Sequence, residues 1–172
     1  LVLPWVASAA KMSLQTLRHS HPDAQCMDGS PSGYYWKPAS ANSSRHLWTL
    51  YLEGGGWCSS RESCDVKVRC AAKWARNLCG SRHWTATRDM SGILSEGYND
   101  PLATANKVFV PYCTSDGHMG DSEAFGYQFR GELVVRAVLG DLVRRHGLGR
   151  GDERHTLIFG GFSAGARGAL GH

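Results

Sequence analysis

The chain has 172 residues, 42% of them hydrophobic and 20% charged, with 6 Trp, 6 Tyr and 5 Phe. That is enough apolar and aromatic side chain for one globular domain with a core, and it excludes a disordered tail. The net charge of +4 is spread along the chain rather than gathered in a basic stripe, which argues against a nucleic-acid partner, and no apolar run has the length of a membrane-spanning helix.

Leu1 to Ala10 is apolar and then small (LVLPWVASAA). It fits either the remnant of a secretory signal, the favoured expectation, or an apolar segment packing on the domain; residues 1–25 are taken as an N-terminal segment and 26–172 as part of one domain. The chain begins with Leu and stops inside a helix-like segment, so it reads as the N-terminal portion of a longer protein. Residues 26–45 are rich in turn formers and include Asn42-Ser43-Ser44, an acceptor triplet for N-glycans. Leu47 to Leu52 predicts a buried strand that ends abruptly in Glu53-Gly54-Gly55-Gly56. Ser59 to Leu78 mixes charged and apolar residues at roughly helical spacing.

Val108 to Val110 predicts a second strand, closed by Pro111 and followed by a loop from Thr114 to Asp121. Glu123 to His146 predicts a helix: Leu133, Val134, Ala137, Val138 and Leu142 share a face, Glu132/Arg136 and Asp141/Arg145 have ion-pair spacing, and Gly147 stops it. Thr156 to Phe159 predicts a third strand running into Gly160-Gly161-Phe162-Ser163-Ala164-Gly165, with a helix after it. Strands separated by long connections predict an α/β fold with a parallel sheet.

The six cysteines are Cys26, Cys58, Cys64, Cys70, Cys79 and Cys113. The count is even and no C-x-x-C pair suggests a metal, so disulfides in an exported protein are expected, with about 15 possible connectivities. Cys58 and Cys64 could close one small loop, and Cys70 and Cys79 another.

Gly161-Phe162-Ser163-Ala164-Gly165 matches G-x-S-x-G between a strand and a helix. This is the setting of a nucleophile elbow, in which a serine projects from a tight turn beside helix N–H groups. Glu53-Gly54-Gly55-Gly56-Trp57 also follows a strand. Glycines there would let backbone N–H groups approach an oxyanion, and the Gly-Lys-Ser/Thr of a phosphate loop is missing. A serine nucleophile needs a base, which in α/β-hydrolases follows it in the chain. The only histidine after Ser163 is His172, nine residues on and expected to point away. His118 is a loop histidine that could line the site, with a surface role the favoured expectation, and Asp116, His118 and Asp121 lack metal-site spacing. The base and its acid are therefore expected beyond residue 172. Acyl transfer by serine implies no cofactor and no metal.

Cys26 to Tyr35 (CMDGSPSGYY), Leu52 to Cys58 (LEGGGWC), Ser91 to Ser95, Val110 to Cys113 (VPYC), Phe129-Arg130-Gly131 and Gly161 to Gly165 occur in this order. Over about residues 24–170 they resemble the pectin acetylesterase/Notum family of secreted serine esterases. The resemblance implies an α/β-hydrolase fold with a Ser-Asp-His triad, Ser163 as nucleophile, and the N–H groups of Gly55, Gly56 and Ala164 as oxyanion hole. It also implies disulfides Cys26–Cys113 and Cys58–Cys64, leaving Cys70 and Cys79 to each other or to residues outside the chain. Ala166 and Arg167, after the elbow, depart from the family pattern. The expected function is hydrolysis of an O-linked acyl ester on an extracellular substrate, either an acetylated polysaccharide or an acylated protein. The competing expectation is a catalytically incomplete relative that binds glycans or acylated proteins.

Overall fold

Side-chain alternation sets the first strand, in which Ala10 and Met12 are buried and Lys11 and Ser13 exposed. The computed structural model describes residues 8–69, 78, 80–97, 102–151 and 154–172; most of the stretch read as a signal remnant, and Cys70 and Cys79, lie outside these. The elements run β1 (Ala10–Thr16), β2 (Gly33–Lys37), β3 (Leu47–Leu52), α1 (Arg61–Val68), β4 (Thr87–Met90), β5 (Asn106–Val110), β6 (Ser122–Ala124), β7 (Tyr127–Phe129), α2 (Gly131–Asp141), a π turn (Leu142–His146), β8 (Thr156–Gly161) and α3 (Ala164–Gly171).

Six strands form one sheet in the order β4-β1-β2-β5-β3-β8. The three strands expected from the sequence, β3, β5 and β8, are its parallel half. β1, β2 and β4 add an antiparallel wing that the sequence reading missed. β5 is buried at all of its positions, as a central strand covered on both faces should be. One face packs Tyr34, Trp48, Leu50, Leu52, Val108 and Val110 against Val134, Val135 and Val138 of α2. The other gathers Ala10, Met12, Tyr35 and Phe109 with Leu94. β8 lies at the sheet edge, and Leu157 and Ile158 on it are exposed.

The helix expected over Glu123 to His146 begins only at Gly131. Phe125 and Gly126 both have positive φ, 57° and 81°, and close a two-residue hairpin turn between β6 and β7. From Gly131 onward the expectation holds: Arg136 pairs with Glu132 at 2.7 Å, Arg145 pairs with Asp141 at 3.1 Å, and Gly147 ends the segment at φ 85°. Asp141 is nevertheless buried, because its carboxylate also accepts from the Tyr34 hydroxyl at 2.6 Å.

The register brings the strand ends level. Leu52 lies opposite Val110 on one side and Gly161 on the other. The chain leaving β3, β5 and β8 therefore emerges at one edge of the sheet, where open α/β sheets place their ligands.

Candidate active site

Ser163 stands between β8 and α3 at φ 53° and ψ −117°, a conformation that a residue with a Cβ adopts only under constraint. The constraint is local hydrogen bonding. Phe162 N–H donates to Leu52 O at 3.3 Å, Gly165 N–H to Phe162 O at 2.8 Å, and Arg167 N–H to Ser163 O at 3.2 Å. A methyl group on Gly161 would lie 2.5 Å from the carbonyl carbon of Gly165, and one on Gly165 would strike the carbonyl of Leu52. The two glycines let strand, turn and helix approach closely enough to hold Ser163 at the tip, where it is exposed.

The glycine loop lies against this turn. A methyl group on Gly54 would sit 3.0 Å from Ser163 Cβ, and one on Gly55 would sit 2.8 Å from the Tyr112 ring. Gly56 has φ 67°. Among the described residues no group accepts from the N–H of Gly55, Gly56 or Ala164. Glu53 fixes the base of the loop: its backbone N–H donates to Val110 O at 3.0 Å, and its carboxylate accepts from Tyr112 N–H and Arg88, each at 3.1 Å.

The disulfide Cys58–Cys64 ties the far end of the loop to α1, and Cys26–Cys113 ties the turn-rich segment to the end of β5. Both pairings agree with those implied by the resemblance; the expectation for Cys70 and Cys79 falls outside the described residues. Ser60 caps α1, its hydroxyl accepting from Ser63 N–H.

His118 is not at the surface. It is buried at φ 63°, its ring packs tilted by 33° against Tyr112 with centroids 4.6 Å apart, and its Nε2 donates to Glu53 O at 2.9 Å. Burial lowers its pKa and keeps the ring neutral. His172 Nε2 reaches back to His118 O at 2.7 Å, so it secures α3 to the same loop. Asp116 accepts from Thr114 Oγ1 at 2.6 Å, His118 N–H at 3.0 Å and Gly131 N–H at 2.7 Å, which caps α2 from outside. Its oxygens are used by the loop, and among the described residues no cluster of three His, Cys, Asp or Glu could hold a metal.

Three contributors went unread in the sequence. Tyr112 and Leu78 form a small buried cluster with Ala164 beneath the elbow, and the Tyr112 hydroxyl accepts from Gly117 N–H at 2.6 Å. Burial raises the Tyr112 pKa, so the phenol stays protonated. Lys67 on α1 donates to Gly55 O at 2.6 Å. A tyrosine two residues past a strand carries no sequence signal for such a role. The lysine was at least visible as the residue one helical turn after Cys64.

This chain belongs to the pectinacetylesterase family, whose profile matches residues 6–172. It is 42% identical over 151 residues to the human palmitoleoyl-protein carboxylesterase NOTUM, a match covering 84% of this chain and 28% of that protein. It is 40% identical over 114 residues to an inactive palmitoleoyl-protein carboxylesterase, notum1b of Danio rerio, covering 65% of this chain and 76% of that one. Among solved structures it resembles the Wnt deacylase Notum from Drosophila, with TM-score 0.75 and 31% identity over 95% of this chain and 43% of that chain. The fold is thus α/β-hydrolase-like, with a mixed sheet. The chain spans 31% and 28% of the lengths of the first two relatives it matches.

Proposed function

We propose that the protein is a serine carboxylesterase that removes an O-linked acyl group through an acyl-enzyme. The observation that carries this reading is the exposed Ser163 in a constrained turn, packed against a glycine loop whose N–H groups have no other acceptor among the described residues. Ser163 Oγ attacks the ester carbonyl, and the N–H groups of Gly55, Gly56 and Ala164 stabilise the oxyanion. The Oγ proton passes to a histidine and from it to the leaving alcohol; water then releases the acyl group by the reverse steps. His118 and His172 have Nε2 committed to backbone carbonyls. This supports a base and orienting acid supplied by sequence beyond residue 172.

The substrate is an acylated protein or an acetylated polysaccharide. The names of the relatives, palmitoleoyl-protein carboxylesterases, favour the acylated protein. Two disulfides support an extracellular setting.

The relative named inactive, of which the match covers 76%, favours a second reading: a protein that keeps the scaffold and binds acylated partners without turning them over. Ester hydrolysis by the complete protein and by its Ser163→Ala variant separates the two. The esterase reading expects turnover that falls at least roughly a thousand-fold in the variant. A variant keeping a tenth of the activity, or a complete protein with none, overturns it.

A further inference from the structure

Lys67 approaches the glycine loop from the side of the Gly55 carbonyl. The Gly55 carbonyl and the Gly56 N–H belong to one planar trans peptide and point in opposite directions. Lys67 Nζ donates to that carbonyl at 2.6 Å, so it holds the plane of the peptide whose N–H the proposed reaction uses. Such a clamp is needed because the peptide lies between two glycines. Rotating it by half a turn changes only ψ of Gly55 and φ of Gly56, and glycine tolerates either sign of φ. Gly56 already has φ 67°. The rotated peptide would aim the Gly55 oxygen, not the Gly56 N–H, at the reacting carbonyl.

Lys67 is itself held. It lies three residues after Cys64 on α1, on the same helical face, and Cys64 is bonded to Cys58 at the end of the glycine loop. Its ammonium lies 5.3 Å over the Tyr112 ring. We propose that Lys67 is a positioning residue for the oxyanion hole, locking the Gly55–Gly56 peptide in the orientation that catalysis requires. The proposal rests on the esterase reading given above.

The clamp has a pH signature. Burial pushes the Lys67 ammonium down to about 8, against the pull of the Asp116 carboxylate, which favours the charged form. Among the described residues the Tyr112 ring also faces it, and burial keeps that phenol protonated. Above about pH 8 the amine loses its charge and its charge-assisted bond to Gly55 O weakens. Arginine stays charged throughout.

The test measures kcat and KM of the complete protein for an activated short-chain ester from about pH 6 to pH 10, with Ser163→Ala, Lys67→Met and Lys67→Arg variants. Lys67→Met is expected to lower kcat about 10- to 100-fold with KM changed less than about two-fold, because losing an oxyanion donor outright costs about 10²- to 10³-fold. Lys67→Arg is expected to restore most of kcat and to remove the alkaline fall near pH 8 that the wild type shows. Wild-type kcat in Lys67→Met, or the same alkaline limb in Lys67→Arg and wild type, overturns the clamp. If Lys67→Met does not fold, the limb comparison between wild type and Lys67→Arg decides by itself. An inactive Ser163→Ala beside an unaffected Lys67→Met rejects the clamp and leaves the esterase reading standing; an active Ser163→Ala rejects the esterase reading instead.

Discussion

Gly165 has no room for a methyl group, since Leu52 C and Glu53 O would lie 2.6 Å and 2.8 Å from it. Both obstacles are backbone, so relief requires the strand or helix to move. Gly165→Ala should therefore destabilise the protein by about 1–3 kcal/mol, read as a lower denaturation midpoint. An unchanged midpoint would mean that the elbow is looser than described. His118 makes a second prediction at this scale. Its folded pKa is depressed below the ordinary 6.5 because burial disfavours the imidazolium, so the unfolded chain takes up a proton that the folded chain resists. The resulting stability is complete above about pH 6.5 and is lost as pH falls below it. Gln at 118 can still donate to Glu53 O and does not titrate. The Tm of the wild type should thus fall more steeply than that of His118→Gln between about pH 7 and pH 5. Parallel curves would remove His118 as the source. Burial also lowers His146, but that residue is present in both proteins and cancels.

The two disulfides act on different elements and should separate in experiment. Cys26–Cys113 spans 87 residues and Cys58–Cys64 spans 6. Loop-closure entropy assigns them about 4–5 and about 2 kcal/mol of stability, respectively. The short bridge, however, anchors the glycine loop to α1, while the long one ties down the segment before β2. Replacing Cys58 and Cys64 with serine should lower kcat more and stability less than replacing Cys26 and Cys113. Steady-state kinetics and thermal melts on the two double variants check the crossing, and one pair dominating both measures would contradict it.

What was legible at this scale follows from pattern strength. β3, β5 and β8 are short apolar runs with sharp ends, and the elbow has a fixed glycine spacing. β1 alternates Ala10, Met12 and Leu14 on one face, but it follows an apolar stretch that resembles a signal and was absorbed into it. β6 and β7 have three residues each, too few for a period to show, and their Phe125-Gly126 turn is concealed beside an amphipathic helix. The pairing of Cys26 with Cys113 came from resemblance, since spacing alone left the connectivity open. The buried role of His118 depends on tertiary contacts with Glu53, Tyr112 and α3, which no local pattern encodes.

At the scale of the molecule, the sheet has an open side. β8 pairs with β3, and no described strand pairs with its other edge. Leu157, Ile158 and Phe162 are 37%, 39% and 69% exposed along it and at its end. An unpaired apolar edge invites another strand. Residues 1–172 produced alone should therefore self-associate, and without a base for Ser163 they should not turn over esters. Light scattering and an ester assay beside the complete protein test both. A stable monomer whose turnover Ser163→Ala abolishes would place the base within these residues, at His118 or His172.

Acyl transfer by this elbow requires Ser163 to form a covalent bond with the acyl group. The direct measurement is mass spectrometry of the complete protein, quenched during turnover of a slowly hydrolysed ester and mapped by peptides. The predicted result is the acyl mass on the peptide containing Ser163, absent from Ser163→Ala. Turnover with no adduct at Ser163, or an adduct on another residue that disappears at the rate of turnover, would contradict it.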